Sequence, residues 1–120
     1  MARVLVVDDD ERIRRMVTDM LVANSYGVIV ARDGAEAVGK AHVEKPDVIL
    51  MDLFMPKMDG YAALDAIKKD PATRSIPVVM VTAVGHELNK KLAEGMGSSG
   101  YLTKPFTVKD LLGAVGRFAR

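Results

Sequence analysis

The 120-residue sequence has no cysteine and no tryptophan, and its aromatic side chains are three tyrosines and three phenylalanines. Without cysteine there is no disulfide framework, no thiol nucleophile and no cysteine-ligated metal, and a reducing compartment is compatible with the composition. Net charge is also nearly absent, because 17 Lys and Arg face 16 Asp and Glu. No like-charge block or basic tail appears, so neither direct nucleic-acid binding nor a membrane surface is expected, and specific protein partners are favoured. No run approaches the ~20 apolar residues of a membrane span. The apolar start, Val4 to Val7, is cut by three acids, unlike a secretory leader. The expected compartment is the cytoplasm.

Apolar side chains, by contrast, are plentiful, at 49% of residues, which suits a compact fold and argues against disorder. A chain of this length makes one domain, expected to occupy residues 1–120. Most of the apolar residues fall into short runs, each followed by a helical pattern. Arg3 to Val7, Gly27 to Ala31, Asp47 to Asp52, Ile76 to Val81 and Ser99 to Leu102 read as strands. Between and after them, amphipathic helices are expected over Glu11 to Asn24, from Asp33-Gly34 onward, over Asp59-Gly60 to Lys69, over Gly85 to Glu94, and after Thr107 as N-cap. The inward residues predicted from the 3.6 period include Ile13, Met16, Val17, Met20 and Leu21 in the first helix. They are Ala35, Val38 and Ala41 in the second, Leu88 and Leu92 in the fourth, and Val108, Leu111, Leu112, Val115 and Phe118 in the fifth. Arg12, Arg14 and Arg15 then lie away from the core.

Strands apolar along their whole length are buried on both faces, so five βα units imply a parallel sheet with right-handed crossovers. The expected fold is a three-layer (βα)5 doubly wound α/β sheet of the flavodoxin-like kind, with strand order 2-1-3-4-5. In such sheets chemistry collects outside the carboxyl ends of the strands. The first strand stops on Asp8, Asp9 and Asp10, the third on Asp52, the fourth at Thr82, and the fifth at Thr103-Lys104-Pro105. Each of these also has a plain structural reading: the acids can cap a helix or turn, Thr82 can cap a strand end, and Lys104 can be a solvated loop residue. Together they converge from four strands. Three carboxylates within a few Å repel by roughly 4 kcal/mol per close pair at an intermediate dielectric, so the site must protonate or recruit cations. Lys104 supplies one charge, and an all-oxygen, half-open site favours Mg²⁺ over zinc for the rest. A carboxylate beside Mg²⁺, a lysine and a hydroxyl is the equipment for phosphoryl transfer onto an aspartate.

The segments VLVVDDDERIR, PDVILMDLFMPKMDG, IPVVMVTA and YLTKPF resemble, in order and spacing, the four motif regions of a response-regulator receiver domain of two-component signalling, the CheY-like family. That resemblance covers essentially the whole chain. It implies that Asp52 is the phosphoacceptor, that Asp8 and Asp9 are the metal-binding acidic pair, and that the Phe54 main-chain carbonyl is a further Mg²⁺ ligand. It also implies that Thr82 is the switch hydroxyl, Ala83 the small neighbour leaving room for the phosphoryl group, Lys104 its charged partner, and Lys104-Pro105 a cis bond. Tyr101 matches the aromatic whose rotamer tracks phosphorylation, altering the face made by the fourth helix, fifth strand and fifth helix. The implied partners are a sensor histidine kinase or phosphotransfer protein and a downstream protein target. The implied state is a monomer, with pairing through the fourth-helix to fifth-helix face on phosphorylation.

Phe54 and Val84, two residues beyond Asp52 and Thr82, are apolar, so neither can orient an attacking water and slow self-dephosphorylation is expected. Gly95-Met96-Gly97-Ser98-Ser99 departs from the family's commoner Ala-Gly-Ala pattern. His42 and His86 read as surface residues, and the methionines at 16, 20, 51 and 80 as core filler. Three other readings compete: a phosphorylation-independent interaction domain, a flavodoxin-like electron carrier and a stand-alone Mg²⁺ phosphohydrolase. The first is disfavoured by the intact set of acids, Thr82 and Lys104, and the second by acids where a phosphate loop belongs. The third lacks room for a substrate cap. With the sequence ending at Arg120, a single-domain regulator or a receiver excised from a longer regulator is expected.

Overall fold

The structure, a computed structural model, describes residues 1–55, 57–83 and 87–119, and the side chains of all of these except 87–89. The expectations for Pro56, Val84, Gly85, His86 and the Leu88 side chain lie outside the described residues. Five strands and five helices alternate: β1 (Arg3–Val7), α1 (Glu11–Val22), β2 (Gly27–Ala31), α2 (Gly34–Glu44), β3 (Val48–Asp52), α3 (Gly60–Lys69), β4 (Val78–Thr82), α4 (Glu87–Gly95), β5 (Gly100–Thr103) and α5 (Val108–Gly116). The strands form one sheet in the order β2-β1-β3-β4-β5, and every pairing is parallel. This is the expected architecture. Among the described residues no helix is long and apolar enough to cross a membrane.

The period of two along each strand divides the core. Leu5, Val7, Ile49, Met51, Val78 and Met80 face one side and pack with Ala37, Ala41, Ala63, Leu64, Ile67 and Ala93 of α2, α3 and α4. Val4, Val6, Val48, Leu50, Val79 and Val81 face the other and pack with Val17, Leu21, Leu111 and Val115 of α1 and α5. Each fully buried aliphatic side chain contributes ~1.5–3 kcal/mol of transfer free energy, so alternate residues of one strand stabilise two separate layers. Helix starts are set by polar caps: Asp10 for α1, Asp33 for α2, Asp59 for α3 and Thr107 for α5, the last with a reciprocal Asp110. Caps and strand carboxyl ends thereby share one edge of the sheet.

Four inward assignments are corrected. Leu92 is 50% exposed while its neighbour Ala93 is fully buried. On the first turn of α2 the inward alanine is Ala37, whereas Ala35 is exposed. Met16 and Val108 are each 41% exposed. A helix buries the stripe that its docking angle turns toward the sheet, and the 3.6 period leaves that phase open by one or two residues. The strand bounds also differ slightly, with β3 starting at Val48, β4 at Val78 and β5 at Gly100.

Gly60 closes the turn behind Asp52. Its N–H donates to the Leu53 carbonyl at 2.8 Å, and a Cβ there would overlap the Asp52 carbonyl oxygen and lie 2.8 Å from Leu53 Cα. Both obstacles are backbone and cannot rotate away. Gly60→Ala is expected to cost about 3 kcal/mol in urea unfolding, the upper range of overpacking. A loss below about 1 kcal/mol would mean that the turn relaxes freely.

Candidate functional site

The three consecutive acids after β1 are given different tasks by the backbone. Asp10 is the cap: its Oδ1 accepts from Arg12 N at 2.8 Å and Ile13 N at 3.4 Å. Asp9 is exposed and Asp8 is buried, with only 4% of its surface accessible. Asp8 is fixed by its own hydrogen bonds, Oδ1 accepting from Asp10 N at 2.9 Å and Oδ2 from Lys104 Nζ at 2.7 Å. Capping thus consumes one acid and leaves two for other work.

Asp52, the last residue of β3, is 7% exposed. β3 lies between β1 and β4, so Asp52 stands beside Asp8 on one side and near Thr82 on the other. Lys104 arrives from the end of β5, where its N–H donates to the Thr82 carbonyl at 2.7 Å. Its ammonium lies 3.6 Å from Asp52 Oδ1, but 2.7 Å from Asp8 Oδ2. The closer partner of Lys104 is therefore Asp8. Thr82 is almost fully buried, and Ala83 after it is exposed. Phe54 is 57% exposed on the turn past Asp52. The Lys104-Pro105 peptide is cis, with Pro105 exposed. Tyr101 is half-buried on β5 and packs against the α2–α3–α4 side of the core.

Charge and burial act on this cluster together. Burial, then the neighbouring charge of Asp8 and a smaller contribution from Asp9, push the Asp52 carboxyl up to about 6 against the pull of Lys104. For Lys104 burial alone would lower the pKa, but the hydrogen bond to Asp8 and the charges of Asp52 and Asp8 outweigh it and hold the ammonium above its ordinary range. The resting site is thus short of positive charge.

A divalent ion fits that shortage. Asp8, Asp9 and Asp52 each offer a carboxylate oxygen, and these oxygens lie within 4.8 Å of one another. The donors are hard oxygens, two from buried acids and one from an acid open to solvent, which suits a cation that keeps several waters. Sequence reasoning missed one contributor. Arg14, assigned to the solvated side of α1, is half-buried and donates from Nη1 to the Asp8 carbonyl at 2.7 Å. Position on a polar helical stripe carried no signal of it.

Comparisons with known proteins find matches over most of the chain. The family model described as response regulator receiver domain matches residues 4–116. Protein PilH of Pseudomonas aeruginosa is 40% identical over 112 residues, covering 93% of this chain and 93% of that protein. The chemotaxis protein CheY4 of Vibrio cholerae superposes with a TM-score of 0.93 at 36% identity, over 98% of both chains. The receiver domain of sensor histidine kinase PA1611 from Pseudomonas aeruginosa, solved with a magnesium ion in its active-site cleft, has a TM-score of 0.90 at 30% identity, over 98% of this chain and 96% of that one. The chain spans only 42% and 50% of the length of two transcriptional regulators that it also matches.

Proposed function

The chain belongs to the response regulator receiver domain family, and from that premise we propose that it accepts a phosphoryl group on Asp52 from a phosphohistidine and passes the signal to a protein target. The family is a signalling module, not a conventional enzyme. The observation that carries the proposal is the gathering of the Asp8, Asp9 and Asp52 oxygens within 4.8 Å of one another, with the Lys104 ammonium 3.6 Å from Asp52.

In this reading an Asp52 carboxylate oxygen attacks phosphorus, the P–N bond to the donor imidazole breaks, and the imidazole leaves with the electron pair and is protonated. Asp8, Asp9, Asp52 and the Phe54 main-chain oxygen would hold Mg²⁺, which supplies positive charge to the acids and to the phosphoryl oxygens. Lys104 releases Asp8 and turns to a phosphoryl oxygen, a short movement given that it already reaches both acids. Thr82 donates its hydroxyl to another oxygen, and Ala83 leaves that side open. The Thr82 movement makes room for Tyr101, which changes the face formed by α4, β5 and α5. A coupling of ~1–3 kcal/mol suffices to bias such a face 5- to 150-fold. Beside Lys104 an apolar groove of Ile13, Met16, Ala83, Pro105 and Phe106 opens, which supports docking of the donor protein there.

The test is incubation with acetyl phosphate, with and without Mg²⁺, followed by intact mass and borohydride trapping of the acyl phosphate. One phosphoryl group, dependent on Mg²⁺ and trapped at Asp52, is the expected result. Equal labelling without Mg²⁺, or trapping at another residue, would sink the proposal.

A further inference from the structure

We infer that Arg14 is a positioning residue for the acidic site, supplying a hydrogen bond that the sheet itself can no longer supply at the end of β1. The inference rests on the reading of Asp8 and Asp9 as metal ligands. β1 and β2 pair in one register, from Arg3 opposite Gly27 to Val7 opposite Ala31. At its start Gly27 N donates to the Ala2 carbonyl at 2.8 Å, and at its end Asp8 N donates to the Ala31 carbonyl at 3.2 Å. Continued by two residues, that alternation would bring the N–H of residue 33 to the Asp8 carbonyl. But β2 ends at Ala31, and Asp33 has left the sheet to cap α2. The Asp8 carbonyl instead accepts from Arg14 Nη1 at 2.7 Å.

Arg14 can do this because α1 begins directly above. Its own N–H donates to the Asp10 carbonyl at 3.0 Å, which places it one turn into the helix, with its side chain reaching back toward the capped end. Asp8 is then held at four points: N by Ala31, O by Arg14, Oδ1 by Asp10 N, and Oδ2 by Lys104. The Arg14 bond ties α1 to the Asp8–Asp9 peptide just past β1, from which both acids project. Mg²⁺ demands near-ideal octahedral geometry, so small displacements of that peptide are felt at both carboxylates.

Two roles for Arg14 predict opposite signs. As a mere nearby charge, its removal would leave the acids more negative and tighten Mg²⁺ binding. As a latch, its removal loosens the acidic pair and weakens binding, by about ten-fold for a group that orients metal ligands. The experiment is Mg²⁺ titration by calorimetry on the full chain, comparing wild type, Arg14→Met, Arg14→Lys and the exposed charge control Arg15→Met. Amide hydrogen exchange over residues 8–10 is measured on the same proteins in EDTA. Arg14→Met is expected to bind about ten-fold more weakly, Arg14→Lys more weakly than wild type despite its retained charge, and Arg15→Met no more weakly. Exchange over residues 8–10 should speed up in both Arg14 variants. If Arg14→Met binds Mg²⁺ as tightly as Arg15→Met, or exchange is unchanged, the latch is refuted. If Arg14→Met fails to fold, Arg14→Lys decides by the same two readings. Should the wild type itself bind no Mg²⁺, the metal reading fails separately, and the metal-free exchange still decides whether the latch exists.

Discussion

Asp52→Asn is expected to take up no phosphoryl group and, in metal-free buffer at neutral pH, to be more stable than the wild type. Labelling is lost because the amide oxygen is a poor nucleophile and cannot form the acyl phosphate. Stability rises because the same carboxylate is held ionised in a place that disfavours charge. It lies almost fully buried, and its pKa is about 6 where an ordinary aspartate has 3.8. The native state therefore binds the proton more tightly than the unfolded chain does, and stability falls as pH rises through that window. The penalty is absent below 3.8, grows between 3.8 and about 6, and is complete above. The gap sets a ceiling of ~3 kcal/mol, which water at the half-open edge screens to about 1–2 kcal/mol. Urea unfolding in EDTA checks it: Asp52→Asn should gain that amount at pH 7.5 and nothing at pH 3.5. An equal gain at both values would assign the effect to packing. Retained labelling in the variant would remove Asp52 from the reaction.

Lys104→Met should act in three directions at once. The initial rate of labelling by acetyl phosphate is expected to fall about 10²- to 10³-fold, the usual loss when one donor to a charged transition state is removed. Mg²⁺ should bind more tightly, because the acids lose the ammonium that now lies 2.7 Å from Asp8 and 3.6 Å from Asp52. The metal-free protein should lose about 2–3 kcal/mol, since a buried Asp8 is left without its cation. Saturating Mg²⁺ should recover much of that loss by mass action. Thermal melts with and without Mg²⁺, together with a labelling time course, separate these effects. Weaker Mg²⁺ binding in Lys104→Met would show that the lysine holds the acids in place rather than competing for them.

Much of the fold was legible from single residues. Runs such as Val4–Val7 and Val48–Met51 are apolar at every position, which only a sheet covered on both faces accommodates. Asp-Gly at residues 33–34 and 59–60 marked helix starts that the structure places at Gly34 and Gly60. The misread residues share one cause. Leu92 and Ala93, or Ala35 and Ala37, differ by 100° to 200° around a helix, and only the docked sheet selects the buried one. The site was legible as strand-end residues, although only the family resemblance, and not composition or spacing, singled out Asp8 and Asp9 among the three acids after β1. Spacing is identical for any of them until the cap is formed, and Asp10 makes it.

By itself, then, the sequence determined the order of five βα units and which polar residues stand at strand ends, because those follow from local periodicity and turn chemistry. The tertiary structure decided what depends on distances between elements remote in the chain. Lys104, 96 residues after Asp8, chooses Asp8 over Asp52 as its closer partner. The space behind Asp52 admits only a glycine at position 60. Arg14, solvated by its helical pattern, turns to the Asp8 carbonyl because β2 stops before reaching it. Local sequence encodes which groups exist at the edge of the sheet. Strand order, register and the point at which each strand ends decide which of them meet.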